Sequence, residues 1–187
     1  MRKHDDLSDI SETNVTIRMV AVLEHIFAPW RMQYILSNSD GSESKGSGCI
    51  FCDFPKENND EQRLIIHRGK LCFVIMNAFP YNPGHLMVVP YRHTADFLSL
   101  TADETSEMMS LCQTSHSVLT NLMKPHGFNI GMNIGKTAGA GIDQHLHMHI
   151  VPRWDGDTNF MPVLGEVRVV SEALSSTWKR ITEVWPK

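Results

Sequence analysis

No stretch of the sequence approaches the ~20 consecutive apolar residues that a membrane-spanning helix requires. The N-terminus, MRKHDDLSDISETNVTIR, is too polar to contain the apolar heart of a secretory signal. Both absences predict a cytoplasmic protein with no membrane partner. Basic residues are also in short supply: 17 Lys and Arg against 21 Asp and Glu leave a net charge of -4. That balance offers no positive field for polymeric nucleic acid. Cysteine is scarce as well. Four thiols (Cys49, Cys52, Cys72, Cys112) allow three disulfide pairings, but in a reducing compartment the close pair in CIFC reads better as metal-binding or redox. No internal repeat is present.

What remains is a chain of 187 residues, 42% hydrophobic and 20% charged, enough for one core and too little for two. Residues 1–26 are assigned to a polar N-terminal extension and 27–187 to a single domain. The Ser/Gly-rich run ILSNSDGSESKGSG (35–48) precedes the packed part, which is expected to begin around Cys49. KLCFVIMN (70–77) and GHLMVVP (84–90) are apolar and β-rich, and the prolines and Asn of AFPYNP between them predict a hairpin. A helix is predicted after Thr101, an N-cap with Glu104 three residues on as a capping box, and it stops by Pro125 and Gly127. FNIGMNIG (128–135) reads as a strand, KTAGAGID (136–143) as a Gly-rich loop, HLHMHIVP (145–152) as the next strand and the tail (169–185) as a last helix. This order predicts an α+β fold with an antiparallel sheet.

The segment HLHMHIVPRW (145–154) carries the strongest chemical signal. In an extended strand His145, His147 and His149 share one face and Leu146, Met148 and Ile150 the other. Alternate residues of a strand lie about 6.6 Å apart. One zinc with Zn–N bonds of about 2.1 Å cannot collect all three from a straight strand. A nucleophilic imidazole flanked by two helpers fits that geometry better. The adjacent KTAGAG offers unobstructed backbone N–H groups of the kind that cradle phosphate oxygens.

His145-Leu-His147-Met-His149-Ile-Val151 resembles the histidine-triad (HIT) motif of nucleotide hydrolases and transferases. APWRMQYI, CIFC, NAFPYNPGHLMVVPYRH and HLHMHIVPRWDGDTNFMPV resemble the bacterial branch that includes diadenosine tetraphosphate phosphorylases and hydrolases. The resemblance implies the HIT fold, an antiparallel sheet of about five strands with packed helices, paired into a homodimer. It implies His147 as the nucleophile that attacks an α-phosphorus and His149 as the donor to phosphoryl oxygens or the leaving group, with His145 completing the triad. Asn77 matches the position that holds the ribose hydroxyls, and an amide that donates and accepts suits a diol. His85 matches a position beside the triad, Asn133 one that reaches the phosphates. Lys136, from its placement, could neutralise a distal phosphate, and Gly141 belongs to the substrate-facing loop.

In zinc-containing relatives a CxxC pair is joined by a His after the VP strand and by the first triad histidine. The resemblance therefore implies a structural zinc held by Cys49, Cys52, His93 and His145, a closed Cys2His2 set. Cys72 and Cys112 read as core residues.

The implied activity is cleavage of a dinucleoside polyphosphate through a nucleotidyl-histidine intermediate resolved by phosphate or water. The alternatives are a nucleoside phosphoramidase or general nucleotide hydrolase, and a non-catalytic nucleotide-binding module. The chain departs from many relatives in one respect: Gly141 and Ile142 stand where a Gln or Ser would meet the leaving group. A donor there must come from backbone or elsewhere, which leaves room for a second nucleophile such as inorganic phosphate.

Overall fold

The computed structural model describes residues 47–157 and 173–187. The N-terminal extension, APWRMQYI, residues 35–46 of the Ser/Gly-rich run, TNFMPV and the start of the tail lie outside the described residues. Two short helices come first, α1 (Ile50–Asp53) and α2 (Asp60–Arg63). Strands β1 (Ile65–Arg68), β2 (Cys72–Met76) and β3 (Leu86–Pro90) follow, then helix α3 (Ala102–Met123), strands β4 (Gly127–Met132) and β5 (Met148–Arg153), and helix α4 (Leu174–Val184).

The five strands form one antiparallel sheet in the order β1-β2-β3-β5-β4. The α+β expectation and the strand count therefore hold. The expected hairpin is β2–β3, paired from Cys72 with Pro90 to Met76 with Leu86. β1 was not anticipated: Ile65 and Ile66 are both buried, so its four residues carry no alternation to read.

Both faces of the central strands are covered. Val74, Met76, Leu86, Val88 and Ile150 face α3 and α4, packing on Met108, Leu111, Leu119 and Ile181. Phe73, Ile75, Met87 and Val89 alternate to the opposite face, where they pack with Cys49 and Phe51 of the α1 segment. The capping box starts α3 as the sequence predicted: Thr101 Oγ1 accepts from the Glu104 N–H at 3.1 Å and Glu104 Oε2 accepts from the Thr101 N–H at 2.9 Å. No helix among the described residues is long and apolar enough to cross a membrane.

The histidine segment differs from its expectation. The regular strand begins only at Met148, so His145 and His147 precede it. The β3–β5 ladder ends at Val88 opposite Met148. Past that pair the chain leaves the sheet and follows the loop after β3, with the Leu146 N–H donating to the Thr94 carbonyl at 2.8 Å. All three histidines are buried.

Candidate active site and metal centre

The register sets the site across the strands. Ile65 pairs with Ile75, Ile75 with Met87, Met87 with His149, and His149 with Gly131. Directly paired residues share a face. Met87 and Ile75 therefore make an apolar floor that runs from His149 towards β1. Above that floor lies a cavity of about 430 Å³, within the range of small-molecule pockets. Its lining includes Phe51 and Phe54, Gln62 to Leu64, Met76 to Phe79, Tyr81, Gly141 and Ile142 together with His147 and His149.

Hydrogen bonds to the main chain fix the imidazole tautomers. A carbonyl can only accept, so the 2.8 Å contact of His147 Nδ1 with the His145 carbonyl places a proton on Nδ1. The lone pair of His147 is then on Nε2, the atom required of a nucleophile. The Tyr81 N–H donates to His85 Nδ1 at 3.1 Å, which leaves His85 Nε2 as the donor to His149 Nδ1 at 2.9 Å. His149 then carries its proton on Nε2 and is a donor there. The two rings, 4.8 Å apart between centroids, thus differ in their Nε2 atoms: His147 carries a lone pair there and His149 an N–H.

His85 is fully buried and lies outside the cavity lining, and it touches the lining residues His149, Asn77 and Tyr81. The loop that carries it is clamped. Asn82 Nδ2 donates to the Pro152 carbonyl at 3.0 Å and to Asp157 Oδ2 at 2.7 Å, and Arg153 holds the same carboxylate through Nε at 2.6 Å and Nη2 at 2.8 Å. Gly84 completes the loop at φ +77, where a Cβ would come within 2.6 Å of Met123 Sδ. Asn77 lines the cavity; its Oδ1 accepts from the Phe79 N–H at 2.9 Å and its Nδ2 lies 3.4 Å from His85 Nδ1. Gly141 lines the cavity too, whereas Asn133 and Lys136 do not. Lys136 is exposed, 3.8 Å from Asp143.

Behind the histidines a second cluster forms. Ligand atoms of Cys49, Cys52, His93 and His145 all lie within 4.8 Å of one another. His145 Nε2 donates to the Pro90 carbonyl at 2.8 Å, so its Nδ1 carries the lone pair. That nitrogen lies 3.3 Å from Cys49 Sγ, 3.6 Å from Cys52 Sγ and 3.3 Å from His93 Nδ1; Cys52 Sγ is 3.3 Å from His93 Nδ1. A tetrahedron with Zn–N near 2.1 Å and Zn–S near 2.3 Å has edges of roughly 3.4–3.8 Å between these donors. The four side chains are thus close enough to hold one metal ion. Burial lowers the His145 pKa and keeps the ring neutral, the form a metal takes. Burial also raises the Cys49 thiol, a cost that a bound cation would reverse.

The HIT domain family model matches residues 57–156, more than half of the chain. An AP-4-A phosphorylase of Mycobacterium tuberculosis is 39% identical over 168 residues, covering 88% of this chain and 86% of that protein. The chain belongs to the HIT family. A further HIT-family relative, the asymmetrical bis(5'-nucleosyl)-tetraphosphatase of Schizosaccharomyces pombe, is 30% identical and covers 50% of each chain. A Zn-bound histidine triad protein from Mycobacterium smegmatis has the same fold, with a TM-score of 0.59 at 23% identity, covering 72% of this chain and 91% of that one.

The three histidines of the HIT signature alternate in sequence yet meet different surroundings. His145 turns away from the cavity to the cysteines, His147 turns into it, and His149 sits on the sheet where β3 and β4 flank it. Sequence reading had not singled out Phe51, whose ring lies 5.5 Å from His145 and 5.1 Å from His147. Its place inside CIFC, between the two cysteines, was the available signal. Tyr81 was missed as well; it acts through its backbone N–H, which no side-chain pattern announces.

Proposed function

We propose that the protein cleaves dinucleoside polyphosphates of the diadenosine tetraphosphate type, passing a nucleoside monophosphate through His147 to inorganic phosphate or water. The observation that carries this is the tautomer of His147: its Nδ1–H is held by a backbone carbonyl, which puts the lone pair on Nε2 of a side chain that lines the cavity. The identity to the M. tuberculosis phosphorylase, over most of both chains, supports the substrate class.

In the first step Nε2 of His147 attacks the α-phosphorus, an N–P bond forms and the P–O bond to the rest of the polyphosphate breaks. From diadenosine tetraphosphate the leaving group is ATP. His149 Nε2–H donates where negative charge develops on oxygen. In the second step inorganic phosphate attacks the same phosphorus and yields ADP, or water attacks and yields AMP, and His147 returns to its starting state. Splitting one displacement into two makes each easier. Asn77 holds the ribose from its place on the lining. Lys136 and Asn133, beyond the cavity, serve the distal phosphates that extend out of it.

Cys49, Cys52, His93 and His145 would hold zinc, and its role is structural: four protein donors leave no position open. Bound there, it would join the α1 segment and the loop after β3 to the histidine segment and so would help to fix the His145 carbonyl on which the His147 tautomer depends. A cytoplasmic homodimer completes the reading, and exposed Ile130 and Ile134, on and just after edge strand β4, are apolar surface that pairing would cover.

The test is product analysis with diadenosine tetraphosphate, with and without inorganic phosphate and with His147→Ala as control. ADP plus ATP only with phosphate establishes a phosphorylase; AMP plus ATP regardless establishes a hydrolase. No turnover of either kind overturns the reading.

A further inference from the structure

The cavity has two chemically different ends. One holds His147 and His149. The other lies across β3 and β2, where Gln62, Arg63 and Leu64 lead into β1. Three strand spacings of about 4.8 Å put that end roughly 14 Å from the histidine strand. Between the ends the floor is apolar, formed by Met87 and Ile75. On the reading proposed above, the phosphate sits at the histidines and the base lies against Ile75, Leu64 and Phe54. The edge of the base then meets Gln62 and Arg63, the polar side chains of the lining at that end.

Both residues are held so that they offer donors. Arg63 Nε donates to Glu57 Oε2 at 2.6 Å, and the guanidinium carbon stands 4.6 Å from the centroid of the Phe54 ring. One edge of the guanidinium is thus fixed, and Nη1 and Nη2 remain for a ligand. Arginine has no acceptor to offer. The Gln62 amide is oriented by a similar chain of constraints. Asn59 Oδ1 accepts from the Gln62 backbone N–H at 3.5 Å, which turns Asn59 Nδ2 towards the Gln62 side chain. Nδ2 donates to Gln62 Oε1 at 2.7 Å, so the oxygen of Gln62 is engaged and its Nε2 donors are left.

We infer that Arg63 and Gln62 read the base and select a 6-oxopurine, guanine or hypoxanthine, over adenine. Guanine presents two adjacent acceptors, O6 and N7, which match an arginine fork. Adenine presents N7 beside an N6 amine, so one donor of the fork would face another donor. A site built to pair with one hydrogen-bonding pattern rejects the analogue that leaves its groups unpaired. The preferred substrates are then dinucleoside polyphosphates carrying at least one guanosine, with adenosine accepted more weakly at this subsite.

The test measures equilibrium binding of GMP, IMP and AMP by calorimetry to the protein as purified and to Arg63→Met and Arg63→Lys. GMP is expected to bind about tenfold more tightly than AMP, the size of one good bidentate contact. IMP, which shares O6 and N7 but lacks the 2-amino group, should follow GMP. Arg63→Met should bring the GMP/AMP ratio close to one, and Arg63→Lys, which keeps the charge and loses the fork, should recover little of it. AMP binding as tightly as GMP, or a ratio unchanged in Arg63→Met, overturns the inference. Turnover of diadenosine tetraphosphate alongside equal GMP and AMP affinities would overturn it alone. Failure of all three nucleotides to bind would overturn the nucleotide-pocket reading with it.

Discussion

His85 Nε2 lies 2.9 Å from His149 Nδ1, and the direction of that bond is set two residues' breadth away by the Tyr81 N–H on His85 Nδ1. Because a backbone amide can only donate, the order of donors runs from Tyr81 through His85 to His149 and ends on an N–H at His149 Nε2. His149→Ala removes that donor and is expected to lower kcat by about 100–1000-fold, the cost of losing one donor to a developing oxyanion. His85→Leu keeps His149 and frees its tautomer, so kcat should fall less than in His149→Ala while KM changes little. Nitrogen-15 NMR of the imidazoles checks the cause: His149 should be an Nε2–H tautomer in the parent protein and a mixture in His85→Leu.

Gly84 ties that relay to α3. With φ at +77 and Met123 Sδ only 2.6 Å from where a Cβ would stand, alanine here meets both a disfavoured backbone and a neighbour that must move. Gly84→Ala is expected to cost about 1–2 kcal/mol from the backbone conformation alone. Since His85 is the next residue, activity should fall further than global unfolding explains, and denaturant melts run beside kcat separate the two.

Glu104 gives a pH dependence. Its carboxyl is drawn down from 4.5 to about 2, first by the hydrogen bonds from Arg92 and then by the Thr101 N–H. A carboxyl whose pKa falls on folding stabilises the native state above its unfolded pKa, and that stability is lost as pH drops from about 4.5 towards 2. Arg92 is partly exposed, and solvent screening holds the contribution to about 1 kcal/mol or less. Glu104→Gln should therefore be less stable at pH 7 by about that amount. The gap should close as the two proteins are unfolded at successively lower pH.

How much of this was legible depended on range. The Thr101–Glu104 box spans three residues, and the sequence pattern of α3 was enough to place it. The β2–β3 hairpin was readable because apolar runs flank a proline-containing turn. The segment 145–147 was misread as strand because periodicity carries no information about the Pro90 and Thr94 carbonyls that draw it off the sheet. The grouping of Cys49 and Cys52 with His93 and His145 came from resemblance, since nothing local links residues so distant in the chain. Arg63 and Gln62 gave no signal, because a charged and an amide residue on a short surface helix look like any solvated turn.

The cysteine–histidine cluster yields the last expectation. Cys49 is buried against His145, and Cys52 is half exposed beside His93. If these four hold zinc, purified protein should carry about one equivalent per chain, released by a strong chelator together with protons taken up by the ligands. Cys49→Ser should then lower stability by more than about 4 kcal/mol, the range reached when a structural metal is lost. Alkylation gives an independent view: in chelated protein Cys52 should react first, while Cys72, whose thiol burial pushes up to about 12, and buried Cys112 stay protected until the chain unfolds. Metal-free protein that is fully stable and active, with all four thiols equally reactive, would exclude a structural role for the cluster. In that case the His145 carbonyl would owe its position to the Leu146–Thr94 and His145–Pro90 bonds alone.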